Sequence, residues 1–258
     1  MAADFDRGGS GADNFENAPL TSPESDPAPL LKPQPRLTLI SYLVLGLLVV
    51  FWPASSFLFL ESQLDLAADV VDPIFEIYLP TILVQLLILG AIVIAMRSEQ
   101  ARPADIGVRR FSRWTLPQAV VFLLFANVVL TGVQMLIASQ SPDSFNEFGS
   151  LLPKTLIEKL LWIVLCAIVA VCEEVTFRGY ILTRVTELTR GRLWIGVLVS
   201  TLAFASGHLY QGLGGFVLIF VYGLMFCGIC LYTGSLYPAI IAHFLQDVSV
   251  LFLPDSFK

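Results

Sequence analysis

Apolar residues fill this chain in stretches of membrane-spanning length, broken by short polar linkers. About 20 apolar residues in a helix cross the hydrocarbon core of a bilayer, where every backbone polar group needs a partner within its own segment, so such stretches read as transmembrane helices. The pattern predicts spans at about 37–60, 77–96, 116–138, 156–187, 193–208, 214–232 and 236–253. Pro53 marks a kink or an end in the first of them. The expected fold class is an all-α membrane protein, a polytopic bundle of about seven transmembrane helices, or eight if the amphipathic linker at 64–76 inserts.

The polar segments give organisation and orientation. Residues 1–36 are acidic and rich in Pro, Gly, Ser and Asp, with no apolar h-region, which predicts a disordered tail and no signal peptide. The chain then divides into 37–114, two spans and a basic loop, and 115–253, the segment that holds the candidate chemistry. The linker at 61–76 carries Glu61, Asp65, Asp69, Asp72 and Glu76 and no Lys or Arg, whereas 97–113 carries Arg97, Arg102, Arg109, Arg110 and Arg113. Arg184, Arg190 and Arg192 stand at and just after the end of the fourth span and are counted with the loop. Basic loops stay cytoplasmic, so the N-terminus is expected inside.

Composition agrees with the span pattern. Hydrophobic residues make up 56% of the 258 and charged residues only 14%, against about 25% charged in soluble domains. The net charge of −6 sits in the tail and loops, and no basic patch points to nucleic acid. Cys166, Cys172, Cys227 and Cys230 all fall in spans and read as packing residues. Cys227 and Cys230 form C-x-x-C, but outside any βαβ context, which argues against a redox or metal role.

What changes the picture is charge inside the spans. The only histidines, His208 and His243, lie in apolar stretches, and another such stretch carries Glu173, Glu174 and Arg178. Ionisable groups at this depth cost roughly 2.5–3.5 kcal/mol each on insertion scales, and they mark function by default. Glu174 and Arg178 share a helix face and read as a pair, which leaves Glu173 on a neighbouring face as a candidate base or acid. Asp247 lies one turn after His243 and is placed to orient its ring. The bland alternative is a helix-end salt bridge with histidines that join helices by hydrogen bonds. Gln85, Asn127 and Gln134 are further polar residues within spans, with interhelical hydrogen bonding the favoured role on the third span. Gly212, Gly214 and Gly215 read as a flexible loop, and Gly223 and Gly228 as sites of close helix packing.

Three short motifs carry a family resemblance. E-E-V-T-F-R at 173–178, F-A-S-G-H at 204–208 and H-F-L-Q-D at 243–247 resemble, in order, the EExxxR, FxxxH and HxxxN/D motifs of the CPBP family. These are the CAAX protease and bacteriocin-processing, or Abi, proteins. The resemblance spans about 115–253 and implies an intramembrane endopeptidase related to type II CAAX prenyl proteases. Carried over, it implies that Glu173 activates water with His208, that Glu174 and Arg178 hold the helix, and that His243 and Asp247 stabilise the oxyanion. Asp stands at 247 where the prenyl-protease branch typically has Asn, and a carboxylate donates a hydrogen bond only when protonated. Asp247 is therefore expected to orient His243, whose imidazolium would donate.

The expected partners are a membrane-associated peptide or protein substrate and the lipid bilayer, in a bacterial cytoplasmic membrane. No cofactor is expected, with zinc on Glu173, His208 and His243 as the alternative because the family is often labelled metalloprotease. Two rival functions remain at this level: a non-catalytic interaction or bacteriocin-immunity protein of the same family, and a proton-coupled transporter. The intact motifs argue against the first, and the lack of an internal repeat against the second.

Overall fold

The apolar stretches fold as helices in the computed structural model, which describes residues 37–109, 111–145 and 151–252. The tail expected at 1–36 lies outside the described residues, as does position 253 at the end of the expected catalytic segment. No strand occurs among the described residues. Helix α1 (Leu39–Leu58) has spanning length. α2 (Leu60–Ala68) has nine residues, about 14 Å at 1.5 Å per residue, less than half a bilayer core. α3 (Ile74–Ser98), α4 (Thr115–Gln140) and α5 (Leu156–Leu188) are again long and apolar enough to cross. α6 (Leu193–Ser206) has only 14 residues. α7 (Gly212–Thr233) belongs to a fifth stretch of spanning length, and α8 (Tyr237–Val248) has 12 residues.

The described residues thus hold five helices long and apolar enough to cross a bilayer, and no strand, as an integral, multi-pass membrane protein requires. The expected fifth and seventh spans are the shorter helices α6 and α8. The first ends at the turn that carries His208, and the second contains His243. Pro53 ends nothing. A π-helical turn over Leu47–Phe51 precedes it and the α-helix resumes at Trp52. The wider turn accommodates a residue that has no N–H and whose ring crowds the carbonyl four residues back.

Long-range bonds set the topology. Thr38 and Ser98 hydroxyls meet at 2.6 Å, and the Leu236 N–H donates to the Gly107 carbonyl at 3.0 Å. These contacts gather the start of α1, the end of α3 and the start of α8 at the end of the bundle that carries the basic loop 97–113. At the opposite end the Tyr78 hydroxyl donates to the Leu151 carbonyl at 3.0 Å, which joins the starts of α3 and α5. α3 and α5 therefore run parallel, and α1 and α8 run against them.

Burial is inverted relative to a soluble protein. Large apolar side chains such as Leu43, Leu87, Leu124, Val128 and Leu160 face outward, while Glu99, Glu174, Arg178, Arg184 and His243 are buried. Arg184 departs from the loop role assigned to it from charge patterning. It is fully buried near the end of α5, with Nη2 at 2.6 Å from Glu99 Oε2, and the Tyr180 hydroxyl donates to Glu99 Oε1 at 3.2 Å. A buried guanidinium requires such a partner.

Candidate active site

Helix α5 carries the acids. It starts at a capping box, with the Thr155 hydroxyl accepting from the Glu158 N–H and the Glu158 carboxylate returning to the Thr155 N–H. It is α-helical through Glu173 and π-helical over Glu174–Ile181, and it resumes as α-helix from Leu182. π turns are rare and concentrate at functional sites. Side chains brace this one. The Thr176 hydroxyl donates to the Cys172 carbonyl, and Ser200 of α6 donates to the Phe177 carbonyl, both at 2.6 Å.

Glu174 and Arg178 form the expected pair, with Nη1 at 3.1 Å from Oε1 and both side chains fully buried. The guanidinium also lies over the rings of Phe204 and Phe226, at 4.1 and 4.9 Å from their centroids. Its Nη2 reaches the Gly223 carbonyl at 3.5 Å. A Cβ on Gly223 would stand 2.8 Å from Thr201 and 3.4 Å from Arg178, so close packing is the reason for glycine there. Gly228 has open space around the same position and offers no such reason.

Glu174 also takes the histidine. His243 Nδ1 lies 2.9 Å from Glu174 Oε1, and its Nε2 faces Asp247 Oδ2 at 3.5 Å and Glu173 Oε2 at 3.8 Å. The residue that orients the His243 ring by a hydrogen bond is therefore Glu174 on another helix, with Asp247 flanking the opposite nitrogen. The Trp162 indole donates to the Asp247 carbonyl at 3.2 Å and Asn127 to Gln246 Oε1 at 2.9 Å, which ties α8 to α5 and α4. Asn127 thus makes the interhelical bond expected of it.

His208 Nδ1 lies 3.1 Å from the carbonyl of Phe204, one turn earlier. A carbonyl only accepts, so Nδ1 carries the hydrogen, and Nε2 of the neutral ring is an acceptor. The Phe204 ring touches both imidazoles, with centroids 5.1 Å from His208 and 6.3 Å from His243. The glycines after His208 are no loose loop. Gly212 turns the chain at φ +82° and Gly214 packs against Ser144 and Phe145 as α7 begins.

Glu173 is not free, as the sequence had implied. Gln85 of α3 donates to its Oε1 at 2.8 Å. Its Oε2 is buried and has no hydrogen-bond partner among the described residues. The sequence signal for Gln85 was its polarity inside an apolar span, and nothing local named its partner. Among the described residues no group of three or more His, Cys, Asp or Glu stands in metal-holding geometry.

Residues 155–249 match a family model described as Rce1-like, type II CAAX prenyl endopeptidase. This segment begins at the cap of α5, ends just after α8 and contains Glu173, Glu174, Arg178, His208, His243 and Asp247. It supports the CAAX protease family resemblance carried by the motifs. Neither a curated protein nor a solved structure matches the chain.

Proposed function

We propose that this chain, which carries an Rce1-like segment of the CAAX protease family over residues 155–249, is an intramembrane endopeptidase acting on a membrane-associated or lipidated, CAAX-type substrate. The observation that carries the reading is Glu173: one oxygen is held by a hydrogen bond, and the other is buried without one and faces His243 Nε2 at 3.8 Å. A carboxylate kept this way in an apolar bundle is a base waiting for a proton.

In the proposed reaction Glu173 Oε2 takes a proton from water, and the hydroxide oxygen bonds to the scissile carbonyl carbon. His208 Nε2, an acceptor by virtue of the Phe204 carbonyl on its other nitrogen, receives the remaining water hydrogen as a hydrogen bond. The carbonyl π electrons move to oxygen, and the Nε2–H of the His243 imidazolium, whose Nδ1–H is given to Glu174, donates to that oxyanion. Glu174 keeps the His243 ring in orientation from the Nδ1 side. As the C–N bond breaks, the leaving nitrogen takes the proton from Glu173. One water is consumed, and an acid and an amine are released. No step requires a metal ion. Burial of these groups excludes bulk water and strengthens their electrostatics.

The test is cleavage by detergent-purified protein of internally quenched peptides ending in Cys-a-a-X, with and without a farnesyl group, wild type beside Glu173→Ala. Cleavage by the wild type alone, at equal melting temperatures, supports the reading. Equal cleavage by Glu173→Ala removes Glu173 as the base, and a strict requirement for the farnesyl group would narrow the substrate to prenylated termini.

A further inference from the structure

We infer that Gln85 of α3 is the positioning residue for Glu173, so that the site is completed by a helix outside the Rce1-like segment. This rests on Glu173 as the base. Gln85 is 7% exposed, sits in the apolar run I-L-V-Q-L-L-I and directs its amide at Glu173 Oε1, 2.8 Å away. An amide buried among apolar side chains needs a partner, and a Gln in a span that merely packed would be replaced by a hydrocarbon without loss.

The amide does something no other neighbour does. A glutamate has several rotatable bonds, and in a cavity both its oxygens are equivalent until one is fixed. Gln85 fixes Oε1 and leaves Oε2 as the oxygen that faces His243 Nε2. It is also neutral. An Arg at this place would form an ion pair and bind the charge tightly, as Arg178 does for Glu174. An amide donor holds the carboxylate in place and leaves its charge for the proton transfer. The neighbouring acids thus divide the work: Glu174 is occupied by two charged or chargeable partners, Arg178 and His243, and Glu173 is held by one neutral amide. Nucleophile–base systems use the same arrangement, in which the base is oriented by a third group.

Reach depends on the register of α3 against α5. The Glu99–Arg184 pair and the Tyr180 hydroxyl bond lock that register at one end, and the Tyr78–Leu151 bond locks it at the other. The pair Gln85–Glu173 lies between these anchors.

The experiment measures kcat and KM of full-length Gln85→Met and Gln85→Glu on the internally quenched peptide that the wild type cleaves. Both variants keep the length of the side chain and lose the neutral donor, and having both guards against a loss of fold in one. Misplacement of a reacting group by about 1 Å costs on the order of 100-fold in rate, so kcat should fall about 10- to 100-fold with KM held within about twofold and the melting temperature unchanged. A folded variant with wild-type kcat overturns the inference, as does a rise in KM alone, which would make Gln85 a substrate contact. If Glu173→Ala still cleaves, the reading of Glu173 as base fails. If Glu173→Ala is inactive and Gln85→Met is not impaired, only the role of Gln85 fails.

Discussion

His243 Nδ1 stands 2.9 Å from Glu174 Oε1, on a helix that reaches it from 69 positions earlier in the chain, while Asp247, one turn along its own helix, comes only within 3.5 Å of Nε2. Glu174 therefore serves a guanidinium and an imidazole with one oxygen. Truncation leaves Arg178 buried without its counter-charge, and removing one partner of a buried pair costs roughly 3–5 kcal/mol. Glu174→Ala should accordingly melt well below wild type in detergent and cleave poorly even where folded, whereas Glu174→Asp should recover part of both. A Glu174→Ala protein with wild-type melting would show that the pair is not structural.

Asp247 is the more dispensable flank. Its side chain is 31% exposed and makes no hydrogen bond to His243. Asp247→Asn should keep activity within about tenfold of wild type, because the amide preserves size and can itself donate to an oxyanion. His243→Ala should lose about 10³-fold or more, the scale of an oxyanion donor and its ring support together. Parallel cleavage rates of the two variants decide the matter: equal inactivity would make the carboxylate of Asp247 indispensable.

The Glu99–Arg184 pair is predicted to matter for stability and register. With both side chains fully buried, Arg184→Ala or Glu99→Ala alone should destabilise by roughly 3–5 kcal/mol, and the double change to Glu99→Leu with Arg184→Met should restore much of it. Thermal unfolding of the four proteins in one detergent checks this. A double variant less stable than either single one would contradict it.

Metal removal gives a fourth outcome. Since the proposed reaction activates water with Glu173 and His208 and has no step on a metal, dialysis against a chelator should leave the cleavage rate unchanged. Metal analysis of the purified, active protein should find less than stoichiometric zinc. Loss of activity on chelation, restored by zinc alone, would overturn the metal-free mechanism.

Much of this was legible in residue order where the cause is local. Span positions follow from apolar run length, and the continuity of α5 past Glu173 follows from an unbroken helix pattern. The Glu174–Arg178 pair follows from the spacing of four on one helix, and it persists through the π turn. Span completeness was less legible, because α6 and α8 are too short to be told from full crossings by hydropathy alone. Arg184 was misread for a related reason. Charge patterning counts an Arg near a span end as loop, and only its burial against Glu99 shows otherwise.

The partners of the reactive groups had to wait for the fold. Residue order established the class of the molecule and which ionisable groups stand in its apolar interior, since desolvation cost attaches to each residue by itself. It could not say that Glu173 belongs to Gln85, 88 positions away, or that His243 belongs to Glu174 more than to Asp247. Those assignments depend on how α3 and α8 pack on α5. Helix packing places side chains from distant parts of the chain within 3 Å of one another, and a short-range pattern carries no record of that.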